Sequence, residues 1–279
     1  MTETAGLASK PLALVTGASS GIGLELAKQF AENGFDLVVN AEDSRLDAAA
    51  QQLRGTGGAT VLEVQADLRT AEGVDTLWAT VATIGRPLAV VALNAGVGQG
   101  GAFVDNAIDK EQEIIDVNIS STVRLAKLVL RDMVSRGEGR VLFTSSIAST
   151  MPGTFQAVYN ASKSFVQSFA EALQEELKDT GVTITSLMPG PTETDFFHRA
   201  EMDDTKAGAS SKDSAAQVAE QGFTALMKGE KKLVGGGMTT KAQAAAARIL
   251  PDSAKAKLHR GMAAPGSAPS GAASGGDDK

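Results

Sequence analysis

Cysteine is absent from this sequence, and histidine and tyrosine are scarce. Without cysteine the chain can form no disulfide, no thiolate-ligated zinc or iron–sulfur centre and no thiol nucleophile. Its two histidines, His198 and His259, are too few for a multi-histidine site, so we predict no metal. The chain of 279 residues carries a single tyrosine, Tyr159, and no apolar run long enough to span a membrane.

Excess negative charge narrows the range of partners. The formal net charge is −7, which disfavours binding to nucleic acid or to an anionic membrane, and we expect neither partner. Residues 1–10 are mostly small or polar and predict no targeting segment, which favours a cytoplasmic location. With 43% hydrophobic and 21% charged residues, the composition is typical of a globular chain that buries a core.

Short apolar runs alternate with longer helical stretches along the chain. The predicted strands cover residues 12–16, 36–40, 60–66, 88–93, 140–144, 182–187 and 232–234. The predicted helices cover residues 22–33, 43–54, 71–84, 107–135, 158–179, 213–228 and 240–259. This alternation predicts an α/β fold: a single domain with a doubly wound, Rossmann-type parallel sheet of about seven strands and helices on both faces.

Composition also suggests where this domain begins and ends. We expect the dinucleotide-binding catalytic domain at residues 11–240, with a substrate loop at 189–212, after a flexible N-terminus at 1–10. A helical extension is predicted for residues 241–263. Residues 264–279 are nearly all Gly, Ala, Ser, Pro and Asp, which predicts a disordered tail.

A glycine-rich segment, Thr16-Gly-Ala-Ser-Ser-Gly-Ile-Gly23, joins the first predicted strand to the first helix. Glycines there let the backbone turn tightly and approach a pyrophosphate, which the free N–H groups of the helix N-terminus can bind. Nucleotide binding is the preferred interpretation of this segment, and an ordinary strand–helix turn is the alternative.

The lone tyrosine lies in Tyr159-Asn-Ala-Ser-Lys163, which places it and the lysine on the same side of a helix, one turn apart. A nearby ammonium group favours the phenolate, so we expect Lys163 to lower the pKa of Tyr159. The pair would then act as a general acid and base near neutral pH. A packed tyrosine beside a solvated lysine is the alternative for this motif taken alone.

Together these motifs resemble the classical short-chain dehydrogenase/reductase family over roughly Pro11 to Val234. Asp67 after the third strand, Asn94-Ala-Gly96 after the fourth and Pro189-Gly190 after the sixth match it as well. The resemblance implies an NAD(P)-dependent oxidoreductase that interconverts an alcohol and a carbonyl compound by hydride transfer, with Tyr159 as the general acid and base.

The resemblance also assigns roles to individual residues. Ser146 would hydrogen-bond the substrate oxygen, Tyr159 would transfer the proton, and Lys163 would bind the nicotinamide ribose. Asn118 would hold a water that relays protons to Lys163. The implied cofactor-binding residues are Gly17, Ser19, Ser20, Gly21, Ile22, Gly23, Glu42, Asp67, Leu68, Asn94, Ala95, Gly96, Tyr159, Lys163, Pro189, Gly190, Thr192 and Thr194.

Charges after the second predicted strand bear on the choice of nicotinamide cofactor. Glu42 and Asp43 would repel a 2′-phosphate, and serine rather than a basic residue precedes Gly21, so we favour NAD over NADP. Arg45 is the residue that could reverse this preference. The neighbours of the matched positions predict a largely apolar substrate pocket, lined by Val97, Ser146, Ile147, Phe155, Gln156, Phe196 and Phe197.

In the family the two long helices, here residues 107–135 and 158–179, commonly pack between subunits, which implies a homodimer or homotetramer. Two other functions stay open at this point: a sugar-nucleotide epimerase or dehydratase, which shares the Tyr-x-x-x-Lys pair, and a non-catalytic NAD(P)-sensing regulator. The glycine spacing and the modest length argue against the first. The complete set of Ser146, Tyr159 and Lys163 argues against the second.

Overall fold

The computed structural model describes residues 10–247 and 249–269. Its seven strands form one sheet in the order β3-β2-β1-β4-β5-β6-β7, and all neighbouring strands are parallel. They are β1 (Leu12–Thr16), β2 (Asp36–Ala41), β3 (Val61–Gln65), β4 (Leu88–Leu93), β5 (Gly139–Thr144), β6 (Val182–Pro189) and β7 (Lys232–Gly235). The predicted fold class is confirmed.

Helices cover both faces of this sheet. They are α1 (Gly21–Glu32), α2 (Arg45–Arg54), α3 (Ala71–Thr83), α4 (Ile108–Ile114), α5 (Thr122–Arg136), α6 (Ala157–Glu176), α7 (Phe196–Arg199), α8 (Lys206–Ala209), α9 (Ala215–Met227), α10 (Met238–Ala247) and α11 (Asp252–Ala263). Helices α1, α2 and α9 bury one face, and α3, α5 and α6 bury the other. Strands β1 and β2 are therefore buried along their whole length, as their uninterrupted apolar character requires.

The strand order reverses beside β1, which has β2 on one side and β4 on the other. The chain leaves these two neighbouring strands, β1 and β4, toward opposite faces of the sheet, so a crevice opens beyond their carboxyl ends. Gly17 directly follows β1 and Asn94 directly follows β4. The fold thus brings the predicted nucleotide motifs to the place where doubly wound sheets bind ligands.

Two helix predictions are wrong in detail. The predicted helix at 107–135 contains a π-helical turn, Ile115–Ser121, which joins α4 to α5. The predicted helix at 240–259 is two helices, because Pro251 lacks the backbone N–H that a continuing helix would need and stands at the N-cap of α11. Among the described helices, none is long and apolar enough to cross a membrane.

Hydrogen bonds tie the described ends of the chain to the rest of the protein. Lys10 donates a hydrogen bond from Nζ to the carbonyl oxygen of Gly58 at 2.8 Å. In the predicted tail, the backbone N–H of Gly266 donates to Oδ2 of Asp204 at 2.7 Å, so residues 264–269 pack against the body of the protein. Residues 1–9 and 270–279 lie outside the described residues.

Candidate active site

A cavity of about 790 Å³ follows the carboxyl edge of the sheet, from the loop after β2 to helix α11. Every residue predicted to bind the cofactor lies on its wall, as do the predicted catalytic residues Ser146, Tyr159 and Lys163. The described residues include no cluster of His, Asp and Glu side chains able to hold a metal ion. We call the part of the cavity beside the glycine loop the nucleotide end. The part beside Ser146 and Tyr159 is the chemical end, or substrate end.

The glycine loop at the nucleotide end has no room for side chains. A Cβ on Gly23 would lie 2.0 Å from the carbonyl oxygen of Gly17, and a Cβ on Gly17 would lie 2.9 Å from the Cα of Ala95. Among the described residues, the side chain of Ser20 makes no capping hydrogen bond to α1, which leaves the first N–H groups of the helix for an anion. This cradle fits the pyrophosphate of a nicotinamide dinucleotide.

Hydrogen bonds tie the ends of β1, β4 and β5 together. The backbone N–H of Asn94 donates to Oγ1 of Thr16 at 3.0 Å, and Oγ1 of Thr144 donates to Oδ1 of Asn94 at 3.0 Å. Lys163 Nζ in turn donates to the carbonyl oxygen of Thr144 at 3.0 Å. The buried lysine is thus held by the same strand ends that support the glycine loop.

Tyr159 and Lys163 lie one turn apart on α6, with Nζ 5.9 Å from the centre of the tyrosine ring. Burial raises the pKa of Tyr159 to about 12, against the opposing effect of a hydrogen bond with Ser146. Burial also lowers the pKa of Lys163 to about 8. The net shift of the tyrosine pKa is therefore upward, opposite to the predicted direction, because burial of the phenol dominates.

Ser146 and Asn118 support the site in different ways. Ser146 Oγ accepts from the backbone N–H of Ala148 at 3.1 Å and donates to the carbonyl oxygen of Pro189 at 3.3 Å. Asn118 is buried in the π-helical turn, where its amide exchanges two 2.9 Å hydrogen bonds with the backbone of Val97. Asn118 therefore stands behind the cavity wall and fixes it.

Gly96 lies between Asn118 and the lysine. A Cβ there would lie 3.0 Å from Lys163 Nζ and 3.3 Å from Asn118 Oδ1. Because Gly96 has no side chain, the amide of Asn118 and the ammonium group of Lys163 border the same point. The predicted water relay from Asn118 to Lys163 would need such an arrangement.

Two ion pairs cross the cavity near the loop after β2. Glu42 Oε1 accepts from Arg199 Nη2 at 2.9 Å, and Arg45 Nη1 donates to Asp195 Oδ2 at 2.5 Å. Arg45 also hydrogen-bonds Asp43 and holds the pKa of that carboxyl below its usual value. Asp195 is the N-cap of α7 and Arg199 is its last residue, so this short helix is fastened to the nucleotide end.

At the chemical end, the structure places six of the seven residues of the predicted substrate wall on the cavity lining. Val97, Ser146, Ile147, Gln156, Phe196 and Phe197 lie on the wall. Phe155 is not among the lining residues: its backbone adopts φ = 67°, and its ring lies under the guanidinium group of Arg260 at 5.2 Å. It is a packing residue for α11.

The sequence-based reasoning missed the C-terminal wall of the cavity. That wall consists of Gln243, Ala246, Ala247, Leu250, Lys255, Leu258, His259, Met262 and Ala263. No motif marks these residues. The available signals were the rarity of histidine and the helical spacing of Leu258 and Met262, and neither identifies a binding site alone.

Comparisons with known proteins agree with this geometry. A family model described as short chain dehydrogenase matches residues 11–205. A 3-oxoacyl-(acyl-carrier-protein) reductase of Synechocystis sp. is 33% identical over 187 residues, which cover 66% of this chain and 75% of the relative. The protein therefore belongs to the short-chain dehydrogenase/reductase family.

Two solved structures show how far the similarity extends in three dimensions. A short-chain dehydrogenase from Sphingobium yanoikuyae in complex with NADPH is 30% identical, with a TM-score of 0.75 over 80% of this chain and 87% of its own. A family member from Burkholderia phymatum in complex with NAD shares the fold at 24% identity, with a TM-score of 0.77 over 86% of this chain and 92% of its own.

Proposed function

We propose that this protein interconverts an alcohol and a carbonyl compound by hydride transfer, with Tyr159 as the general acid and base. The observation that supports the proposal most directly is the grouping of Ser146, Tyr159 and Lys163 on the wall of the cavity that also contains the glycine cradle. The nicotinamide supplies the hydride donor or acceptor when bound. The protein supplies position and the proton.

Each of the three side chains has a distinct task in the proposed reaction. The hydroxyl of Ser146 hydrogen-bonds the substrate oxygen and fixes it beside Tyr159. In reduction the phenol, which burial keeps protonated, donates its proton to that oxygen; in oxidation the phenolate takes the proton back. The ammonium group of Lys163 stabilises the phenolate while it exists.

Turnover itself is the test of this proposal. The absorbance of the reduced nicotinamide is followed with a panel of ketones and secondary alcohols, using NADH, NADPH and their oxidised forms. Oxidation or reduction of the dinucleotide with at least one pair of compounds is expected. A protein that binds the dinucleotide but turns over no panel member would favour the sensing regulator, and turnover of a nucleotide sugar without net redox change would favour the epimerase.

We further propose NAD rather than NADP as the cofactor. Carboxylates outnumber guanidinium groups around the loop after β2: Glu42, Asp43, Asp67, Glu113 and Asp195 stand near Arg45, Arg69 and Arg199. Each arginine is already paired with a carboxylate, so a 2′-phosphate would enter a region of net negative charge. Equilibrium dissociation constants for NADH and NADPH decide this point, and tighter binding of NADPH would contradict it.

The proposed assembly is a homodimer or homotetramer formed through α4, α5 and α6. Apolar side chains remain exposed on or beside these helices, among them Ile108 at 71%, Val104 at 87% and Phe165 at 40%. Such side chains favour burial in a subunit interface. Light scattering at micromolar concentration tests the proposal, and a monomer would contradict it. The cytoplasmic location stays a prediction.

A further inference from the structure

Helix α11 is fastened to the segment that leads into the tyrosine-bearing helix α6. Oγ1 of Thr154 donates to the carbonyl oxygen of Ala256 at 3.0 Å, and the guanidinium group of Arg260 covers the ring of Phe155. Phe155 has a left-handed backbone, with φ = 67°, and its side chain also packs against the hydrophobic cluster that includes Phe197 and Ala263. The position of α11 is therefore tied to the catalytic end of the cavity.

A small hydrophobic cluster also holds α11. Ala263 packs with Phe197 and Ala200 around α7, together with Met202 and Ala207 nearer α8. Helix α11 is thus packed against the segment of α7 and α8 and against Thr154 and Phe155. These contacts fix the position of the side chains through which α11 lines the cavity.

This C-terminal wall is mostly apolar, with few polar groups. Leu258 and Met262 of α11 and Leu250 before it supply most of its apolar surface. Its one ammonium group, Lys255 Nζ, is paired with Asp252 at 3.0 Å. Among the described polar side chains of α11 that line the cavity, His259 is the one that can offer an acceptor to a ligand, because the ammonium group of Lys255 carries only donors.

The hydrogen bonding of His259 defines which of its nitrogens is free. Nδ1 lies 2.9 Å from the carbonyl oxygen of Thr154, and because a carbonyl oxygen only accepts, Nδ1 carries the proton. Burial lowers the pKa of the ring, which keeps it neutral. Nε2 therefore offers a lone pair, and within residues 10–247 and 249–269 it has no hydrogen-bond partner although the side chain is 8% exposed and lines the cavity.

We infer that Nε2 of His259 is a specificity-determining contact that accepts a hydrogen bond from a hydroxyl group of the substrate. This hydroxyl is separate from the reacting oxygen, which Ser146 and Tyr159 bind under the proposed function on which this inference rests. Leu250, Leu258 and Met262 then enclose the carbon skeleton. The substrate class is an apolar ketone or secondary alcohol that carries a second hydroxyl group.

Matched variants separate this contact from the packing of α11. His259→Asn keeps an N–H donor near the position of Nδ1 for Thr154 but loses the acceptor at Nε2. His259→Gln places an amide near Nε2, where its oxygen can accept. Thr154→Val removes the hydrogen bond to Ala256, which fastens α11, without altering the His259 ring.

The probes are methyl ketones of increasing chain length, each compared with its analogue bearing a terminal hydroxyl, such as 2-octanone and 8-hydroxy-2-octanone. Binding to the protein saturated with oxidised dinucleotide is measured by calorimetry, because the ketone group cannot be reduced in that complex, and the absorbance of reduced dinucleotide is followed in parallel to exclude oxidation of the terminal hydroxyl. For at least one chain length, the hydroxylated probe should bind roughly fivefold more tightly, as one net hydrogen bond allows.

His259→Asn should abolish this preference, His259→Gln should retain part of it, and Thr154→Val should leave the ratio unchanged. A ratio that survives in His259→Asn would overturn the inference, as would a wild-type protein with no preference at any chain length. In turnover, the change should appear in KM with kcat unaltered. Failure of the proposed function is recognised separately, as absence of dinucleotide oxidation with every ketone whatever the binding ratio.

Discussion

The two ends of the cavity are built from different kinds of sequence. At the nucleotide end, the lining residues follow strands within residues 11–205, the range that matches the family model. At the substrate end, much of the wall comes from α10 and α11, beyond that range. The backbone at the nucleotide end must approach a pyrophosphate, so the residue type is fixed, whereas packing helices can use many apolar residues. Motifs therefore indicate reaction and cofactor more readily than substrate.

The largest effect should come from Tyr159→Phe, at the junction of the two ends. Loss of the phenolic proton should lower kcat by about 100- to 10,000-fold. The dissociation constant for the dinucleotide should change little, because the ring and its packing on Phe196 remain. Stopped-flow turnover and a binding titration measure the two effects. A variant with kcat near that of the wild type would remove Tyr159 from the mechanism.

A matched pair of glycine variants compares the two ends directly. Gly23→Ala places a Cβ against the Gly17 carbonyl and should weaken dinucleotide binding at least tenfold, with a loss of stability of about 1–3 kcal/mol. Gly261→Ala lies in α11, where a Cβ would meet nothing within 4 Å among the described residues. It should instead stabilise the protein by about 0.5–1 kcal/mol. Thermal unfolding and dinucleotide titration measure both variants. Equal effects of the two substitutions on stability and on dinucleotide affinity would contradict the contrast between the two ends.

Lys163→Met should trade activity for stability. In the wild type, burial destabilises the ammonium form, so without cofactor the variant should gain about 1–3 kcal/mol at pH 7 while turnover falls. This gain should shrink as pH rises above about 8, because the folded lysine then loses its proton while the unfolded lysine keeps it up to about 10.5. Denaturant unfolding at pH 7 and pH 9.5 measures the difference. A stability gain of the variant that grows with pH would contradict the lowered pKa of Lys163.

At the nucleotide end, Glu42→Gln should relax cofactor choice. The substitution removes a negative charge, frees Arg199 from its carboxylate partner and leaves Arg69 paired with Asp67 and Glu113. Affinity for NADPH should rise by about tenfold relative to NADH, as expected when a repelling charge near a phosphate is removed. Titration with both dinucleotides is the measurement. An unchanged ratio would show that Glu42 does not read the ribose.

Leu258→Ala should have the smallest effect and confine it to the substrate end. This side chain is 57% exposed at the cavity mouth, so its truncation should raise KM for an apolar ketone by only about threefold. The NADH dissociation constant should stay unchanged because α11 does not contribute to the glycine cradle. Steady-state kinetics and titration separate these quantities. A changed NADH affinity would show that Leu258 of α11 also influences the nucleotide end of the cavity.

The features that the sequence could predict lie mainly in the sheet and at the nucleotide end, and those it could not predict lie mainly at the substrate end. The doubly wound parallel sheet, the glycine loop and the position of Ser146 depend on local sequence and chain topology, so the sequence predicted them. The tyrosine pKa was predicted in the wrong direction, because the four-residue spacing to Lys163 shows proximity but not burial. Phe155 and His259 depend on how α11 packs against a segment about a hundred residues earlier, and no local pattern encodes that contact.

Helix α7 links the timing of the two binding events. Its N-cap Asp195 and its last residue Arg199 pair with the loop after β2, while the ring of Phe196 lies 5.1 Å from that of Tyr159. Displacing α7 to admit or release a dinucleotide would therefore dismantle the pocket in which the substrate reacts. The catalytic cycle should accordingly be sequential and ordered, with the dinucleotide entering first and leaving last.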